Sequence, residues 1–468
     1  MTMWTPEVGD VRGQARYAAI VEALARDVAS GRLPEGARLP THRELADTLG
    51  VAIGTVTRAY SEAERRGLVR GEVGRGTFVG PAPLRAATFV PGAPRTGVVD
   101  LALNVPVEGV VPDLAAALRA LARRSDVGEL LRYQPHAGAA RHRAAGAAWA
   151  TRYGVEAEPE QVLVCAGAQH AMVTIFSALA KPGDRVLTEA LTYPGMKALS
   201  NLLHLPLEGV AMDADGMRVD ALEEALARSG ARFLYCMPTI HNPTGSVLPS
   251  ARRRAIAELA RRHDVAIIED DVHRFLATDA PPPLAHFAPE RTYHIAGTSK
   301  ALAGGLRVAF VTAPRNAVDQ VARSIWATTW MAAPITAELA ATWIEDGTAD
   351  RVIAAQRREA TARQAIARRL LRGVGAGGAG AHALGDPRAL HLWLELPEPW
   401  SGESFARAVL ERGVAIAPAE LFAVGRGGVP PAVRLGLGAA RDHHELERAL
   451  GVLRDTLADT AAMASSVL

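Results

Sequence analysis

Lysine is almost missing from this sequence. Among 52 basic side chains only Lys181, Lys197 and Lys300 carry an ammonium, and the others are arginines. A guanidinium stays protonated and is no nucleophile, so an amine kept in an arginine-rich chain is a candidate for covalent chemistry. Cysteine is as scarce. Cys165 and Cys236 both lie in apolar runs, which argues for reduced packing residues in a reducing compartment and against a disulfide framework. Aromatics make up only 5% of the chain, yet a hydrophobic share of 49% is ample for a large core. The formal net charge of +2 removes any global electrostatic case for nucleic acid or membrane. Long apolar runs of membrane-spanning length are missing too, as is a basic-then-apolar leader. The expectation is a soluble, cytoplasmic protein without a membrane partner. His443 and His444 have no partners at metal-ligand spacing, so no metal site is expected and both read as exposed.

At 468 residues the chain has room for about three domains, or for two unequal ones. Composition breaks at Gly80-Pro81-Ala82-Pro83 and Pro91-Gly92-Ala93-Pro94. Residues 81–97 therefore read as a linker between a module at 10–80 and a domain at 98–460. In the long part, continuous apolar runs alternate with helical patterns: Val162 to Cys165, Arg185 to Thr188, Arg232 to Cys236 and Val265 to Glu269. That alternation predicts an α/β fold with a mostly parallel sheet covered on both faces. The stretch 388–460 predicts a smaller α+β lobe. Gly373, Gly375 and Gly378 mimic a dinucleotide fingerprint but follow a helical stretch, so they read as a loop.

In the first module, Pro40-Thr41-His42-Arg43-Glu44 carries a capping box. A helix to Leu49, a turn at Gly50-Val51 and a second helix from about Ala52 to Arg66 follow. Gly67 then acts as C-cap and a Gly-rich turn joins a hairpin, Leu68 to Arg70 with Thr77 to Val79. This is a winged helix-turn-helix, and over residues 14–80 it resembles GntR-type regulators. The resemblance implies double-stranded DNA as partner, with Arg43, Thr55 and Arg58 facing phosphates or base edges and Arg75 and Gly76 on the wing. Ala52, Ile53 and Gly54 stand where many relatives carry polar residues, so base reading rests on fewer groups and on DNA shape. Eleven arginines against nine acids in 10–80 make the module's own attraction to DNA weak, so two linked copies are needed.

In the large domain, polar residues recur where ligands bind in parallel sheets, just beyond strand ends. Gly167-Ala168-Gln169 opens a helix, whose N-terminal N–H groups suit a phosphate. Tyr193 offers a ring for stacking, Asn242 an amide donor, Asp270 a carboxylate, and Arg434 a planar fork for another carboxylate. Lys300 sits in Gly297-Thr298-Ser299-Lys300, with Arg307 seven residues on, a setting that suggests an aldehyde cofactor with its phosphate alongside.

In order and motif this resembles the fold-type I pyridoxal-phosphate enzymes, the class I/II aminotransferases, over about residues 98–460. The resemblance implies pyridoxal 5'-phosphate held as an aldimine on Lys300, with Asp270 on the ring nitrogen. It further implies Asn242 on the ring hydroxyl, Tyr193 stacked on the ring, and Ala168, Gln169, Thr298 and Arg307 around the phosphate. Arg434 would take the effector or substrate carboxylate, and Tyr133 would reach a neighbouring subunit's phosphate, which implies a homodimer. One departure stands out: Asp270-Asp271-Val272-His273 lacks the tyrosine usual after the aspartate, and His273 is the candidate substitute. The whole layout resembles the MocR family of regulators. It implies a pyridoxal-phosphate-dependent transcriptional regulator that senses an amino acid, an amine or the cofactor itself. The alternative is an active aminotransferase acting on an amino acid and a 2-oxo acid.

Overall fold

In the computed structural model, the described residues are 4–6, 16–34, 36–65, 68–72, 76–79, 97–374, 381–425 and 428–465. The chain divides into two units, Met1–Pro94 and Arg95–Leu468. Gly67, Arg75, Gly375, Gly378 and all of the expected linker except Gly97 lie outside the described residues.

The first unit contains α1 (Arg16–Ala29), α2 (His42–Leu49), α3 (Ile53–Arg65) and a hairpin of β1 (Val69–Glu72) and β2 (Gly76–Val79). The capping box forms as its residues require. Glu44 N–H donates to Thr41 Oγ1 at 3.3 Å, and Thr41 N–H donates to Glu44 Oε2 at 2.7 Å. Gly50, at φ +61°, ends α2 in the left-handed conformation that a side chain disfavours. Ile20, Leu24, Leu45, Val56 and Tyr60 close the core, each large aliphatic contributing about 2 kcal/mol by leaving water. Tyr60 completes it by donating its hydroxyl to the Pro40 carbonyl at 2.9 Å.

The second unit is organised by a seven-stranded sheet. Its strands are β3 (Val162–Cys165), β4 (Val186–Glu189), β5 (Leu207–Val210), β6 (Phe233–Cys236), β7 (Ala266–Asp270), β8 (Thr292–Gly297) and β9 (Ala309–Thr312), in the order β3-β9-β8-β7-β6-β4-β5. All pairings are parallel except those of β9, which runs antiparallel to β8 and β3. Cores on both faces account for the unbroken apolar runs of the sequence. Helices α4 (Ala168–Leu179), α5 (Pro194–Leu202) and α6 (Ser250–Arg262) start beyond strand ends or cross over between them. Further on, α7 (Thr348–Leu371) packs on α8 (His443–Ser465) beside a second, antiparallel sheet. That sheet contains β10 (His382–Leu384), β11 (His391–Glu395), β12 (Ala417–Pro418) and β13 (Ala432–Gly436), in the order β10-β11-β13-β12. Both cysteines are buried and unpaired. No helix among the described residues is long and apolar enough to cross a membrane.

Candidate functional site

The carboxyl ends of β3, β4, β6, β7 and β8 deliver the polar residues to one side of the sheet. Gly167, at φ +88°, caps α4 and leaves the first N–H groups of that helix, including those of Ala168 and Gln169, without intrahelical partners. Arg307, itself at φ +52°, lays its guanidinium against this turn: a Cβ on Gly167 would stand 2.5 Å from Arg307 Nη2. Only glycine fits there. Arg307 Nη1 also donates to Ser299 Oγ at 3.2 Å. These donors converge as a cradle for an anion. Thr298 departs from expectation: its hydroxyl donates to the Val308 carbonyl at 2.9 Å, which leaves that hydroxyl without a hydrogen to offer a phosphate. Ser299 is the hydroxyl beside the arginine.

Tyr193 caps α5 with its ring over Gly195, where a Cβ would lie 2.2 Å from the ring. Gln169 Nε2 donates to the Gly195 carbonyl at 3.0 Å. Asp270 ends β7. Its Oδ2 accepts from the Tyr235 hydroxyl at 2.8 Å, while its Oδ1 is buried without a partner among the described residues. Burial pushes the Asp270 carboxyl up to about 6, against the lowering effect of the Tyr235 hydrogen bond. Asn242 lies in a loop held from beneath by Arg253, which is fully buried and donates to the carbonyls of Leu248 and Pro238 at 2.8 Å each. Arg434, on β13, reaches across from the small lobe. Its Nη1 donates to Asn242 Oδ1 at 2.8 Å, its Nη2 donates to the Ala102 carbonyl, and its Nε is buried without a partner among the described residues.

Lys300 follows β8 and donates Nζ to the backbone carbonyl of Asn104. Burial first, then the charges of Arg434 and Arg307, bring its ammonium down to about 8, with Asp270 opposing. An amine of lowered pKa faces a buried carboxylate, an anion cradle and a guanidinium fork. The other two lysines divide. Lys181 is exposed, but Lys197 is half-buried and donates Nζ to the Leu421 carbonyl at 2.9 Å, an anchoring role its sequence context did not signal.

His273 is buried below the site, with Nδ1 3.2 Å from the Ile240 carbonyl. Tyr133 does not join this chain's site; it is 81% exposed and packs on Trp330, ring centroids 5.3 Å apart. Sequence reading missed Ser299, Tyr235, His391 and Asn104. A phenol inside the strand run Phe233-Leu234-Tyr235-Cys236, and a lone amide in Leu101-Ala102-Leu103-Asn104-Val105, were the available signals. In the first unit Arg43 is exposed and Thr55 lies in the first turn of α3. The Arg58 guanidinium sits 4.1 Å over the Tyr17 ring. Gly76, at φ +120°, leaves room for the side chain of Arg38, another residue not singled out beforehand.

The site residues fit pyridoxal phosphate on structural grounds: an orphaned carboxylate oxygen, a cradle that a Cβ would fill, and an amine of lowered pKa. Residues 96–453 match the family described as aminotransferase class I and II, and residues 16–79 match bacterial regulatory proteins of the gntR family. An uncharacterized HTH-type transcriptional regulator of Bacillus subtilis, YdeF, is 30% identical over 456 residues, covering 97% of each chain. The 2-aminoadipate transaminase of Thermus thermophilus is 29% identical over 341 residues, covering 71% of this chain and 84% of that one. Among solved structures, Thermus thermophilus LysN, an alpha-aminoadipate aminotransferase complexed with N-(5'-phosphopyridoxyl)-L-leucine, superposes with a TM-score of 0.70 at 27% identity. The match covers 78% of this chain and 94% of that one. The chain belongs to the class I and II aminotransferase family and, with a GntR-family domain ahead of it, has the two-part architecture of the MocR-type regulators.

Proposed function

We propose that this protein is a pyridoxal-phosphate-dependent transcriptional regulator of the cytoplasm. Its winged helix binds operator DNA, and its aminotransferase domain senses an amino acid or amine at Lys300. The observation that carries the reading is a nearly complete cofactor site, from Gly167 to Arg434, in the same chain as a DNA-binding module. When bound, pyridoxal phosphate supplies an aldehyde that captures amines and a ring that withdraws electrons. The chain's own groups do the rest. Burial and two arginines disfavour the Lys300 ammonium, so a larger share of Nζ is neutral near physiological pH than an ordinary lysine offers. Asp270 Oδ1 would accept from the ring nitrogen and Asn242 would donate its amide to the ring oxygen. The N–H groups of Ala168 and Gln169, with Ser299 and Arg307, would hold the phosphate, and Tyr193 would cover the ring face. Arg434 releases Ala102 and presents its fork to the effector carboxylate. Sensing requires that the effector bind two arrangements of the domain unequally, with DNA affinity following the balance.

A homodimer is part of this reading. Leu131, Tyr133, Trp326 and Trp330 form an exposed apolar patch, 82%, 81%, 50% and 45% accessible, of the kind a second copy covers. Two linked winged helices then address two half-sites. Arg43, Thr55, Arg58, Arg75 and Gly76 are the residues we assign to DNA.

The completeness of the site favours a second reading, a working aminotransferase. Turnover across a panel of amino acids and 2-oxo acids, measured beside salt-dependent binding to the DNA upstream of its own gene, separates the two. Regulation predicts sequence-specific DNA binding that shifts with an amine; a shift with pyridoxal phosphate alone would identify a cofactor sensor. Brisk turnover without specific DNA binding would sink the regulator.

A further inference from the structure

Asn104 belongs to no expected motif, yet its side chain is oriented by two histidines. His273 Nδ1 lies 3.2 Å from the Ile240 carbonyl, and a carbonyl only accepts, so Nδ1 carries the hydrogen. His391 Nε2 lies 2.9 Å from the His241 carbonyl, so there the hydrogen is on Nε2. Burial keeps both rings neutral, His273 at about 3 and His391 well below the usual histidine range. Their remaining nitrogens, His273 Nε2 and His391 Nδ1, are therefore bare acceptors. They stand 3.3 and 3.1 Å from Asn104 Nδ2. Both amide hydrogens of Asn104 are spent, and the carboxamide cannot flip without setting an oxygen against two lone pairs. Asn104 Oδ1 is left buried and unpartnered among the described residues. A buried acceptor of this kind costs stability until a donor meets it.

Its surroundings define that donor. The backbone carbonyl of the same residue holds Lys300 Nζ, and the neighbouring Ala102 carbonyl holds Arg434. Asn104 thus borders the space between the amine and the carboxylate fork. The charges acting on His273 from this side are the cations Lys300 and Arg434, which disfavour a cationic side chain. A carboxylate would bring only lone pairs to Oδ1.

We propose that Asn104 Oδ1 is the specificity acceptor of the effector site, and that the effector is an amino acid with an uncharged donor side chain, a hydroxyl or a carboxamide. This rests on the reading of Lys300 and Arg434 as the effector site. In that reading His273 and His391 are positioning residues that act through Asn104.

The test titrates the full-length, pyridoxal-phosphate-loaded protein with matched amino acids and follows the visible cofactor band. The pairs are serine with alanine and threonine with valine; glutamine, glutamate and ornithine complete the set. The wild type is expected to bind the donor of each pair about 10- to 100-fold more tightly, the worth of one buried acceptor left unmet. Asn104→Leu, close in volume, should erase that preference by weakening serine and threonine far more than alanine and valine; Asn104→Ala repeats the test should leucine perturb folding. A preference that survives Asn104→Leu overturns the inference, as does equal weakening of serine and alanine, which would assign Asn104 to the α-amine or to structure. Tightest binding of glutamate or ornithine overturns it too. If no amino acid moves the band of the wild type, the effector-site reading itself fails, and this inference with it.

Discussion

Arg434 Nη1 donates to Asn242 Oδ1 at 2.8 Å, so one buried guanidinium from the small lobe closes onto the loop beyond β6. The bond fixes the Asn242 amide with its oxygen on Arg434, and burial brings the guanidinium down to about 10 without discharging it. In the proposed reading, the effector carboxylate and the cofactor would be read through neighbouring atoms of one contact.

Arg434→Ala is expected to strand the acceptors of Asn242 and Ala102, costing about 1–3 kcal/mol of stability for each. Amino acids should bind roughly 30-fold or more weakly, the equivalent of about 2 kcal/mol for a buried charged contact, while simple amines lose little. Arg434→Lys keeps charge but not the fork and should not restore amino-acid binding. Titration of the cofactor band with an amino acid and its decarboxylated amine measures the difference.

Lys300→Ala should abolish the visible band of attached cofactor and leave the fold intact. In the wild type, attachment requires a neutral amine, so its rate should rise with pH and level off near 8 instead of near 10.5. The stability of the cofactor-free protein follows the same group. Because the folded pKa lies below the unfolded one, the unfolded chain binds the extra proton between about 8 and 10.4. Stability should therefore rise with pH through that window, and the gain is lost as pH falls through about 8. Thermal melts of wild type and Lys300→Met across pH 7–10.5, a range chosen to span roughly those two values, test this; parallel curves would remove Lys300 as the cause.

Tyr235→Phe removes the donor to Asp270 Oδ2 and should push that carboxyl above its present value of about 6. Burial already raises it, and the lost hydrogen bond had opposed that rise. A carboxylate harder to ionise holds a pyridinium less well, so cofactor affinity should fall, most of all toward low pH. Equilibrium dialysis of pyridoxal phosphate at pH 6 and 8 shows it, and an unchanged ratio would separate Tyr235 from the cofactor.

Arg43→Ala should weaken DNA binding about equally across sequences and reduce the log–log salt slope by about 1, the signature of one lost phosphate contact. Fluorescence anisotropy at several salt concentrations measures it. An unchanged slope would move Arg43 off the DNA-facing surface.

Most of the site was legible because its residues are announced locally. Gly167, Tyr193, Asn242, Asp270 and Lys300 each follow an apolar run that reads as a strand, and ligands gather at such ends for topological reasons. The capping box at Thr41 and Glu44 was legible for the same reason, since four consecutive residues contain the whole interaction. Thr298 shows the limit. Two adjacent hydroxyls look alike in sequence, and only the return of the chain at Val308 assigns Thr298 to the backbone and Ser299 to Arg307. Asn104, Tyr235 and His391 were missed because the partners that give them a role lie 169, 35 and 150 residues away.

Lysine scarcity, strand-end motifs and turn chemistry in the sequence alone determined the two-part organisation and the α/β class, and singled out Lys300 as a candidate. Those features depend on contacts within a few residues. Which polar groups become buried, and with what protonation, was decided only by tertiary packing. Desolvation and charge act through space, and space here brings Asn104, Lys300 and Arg434 together from opposite ends of the domain.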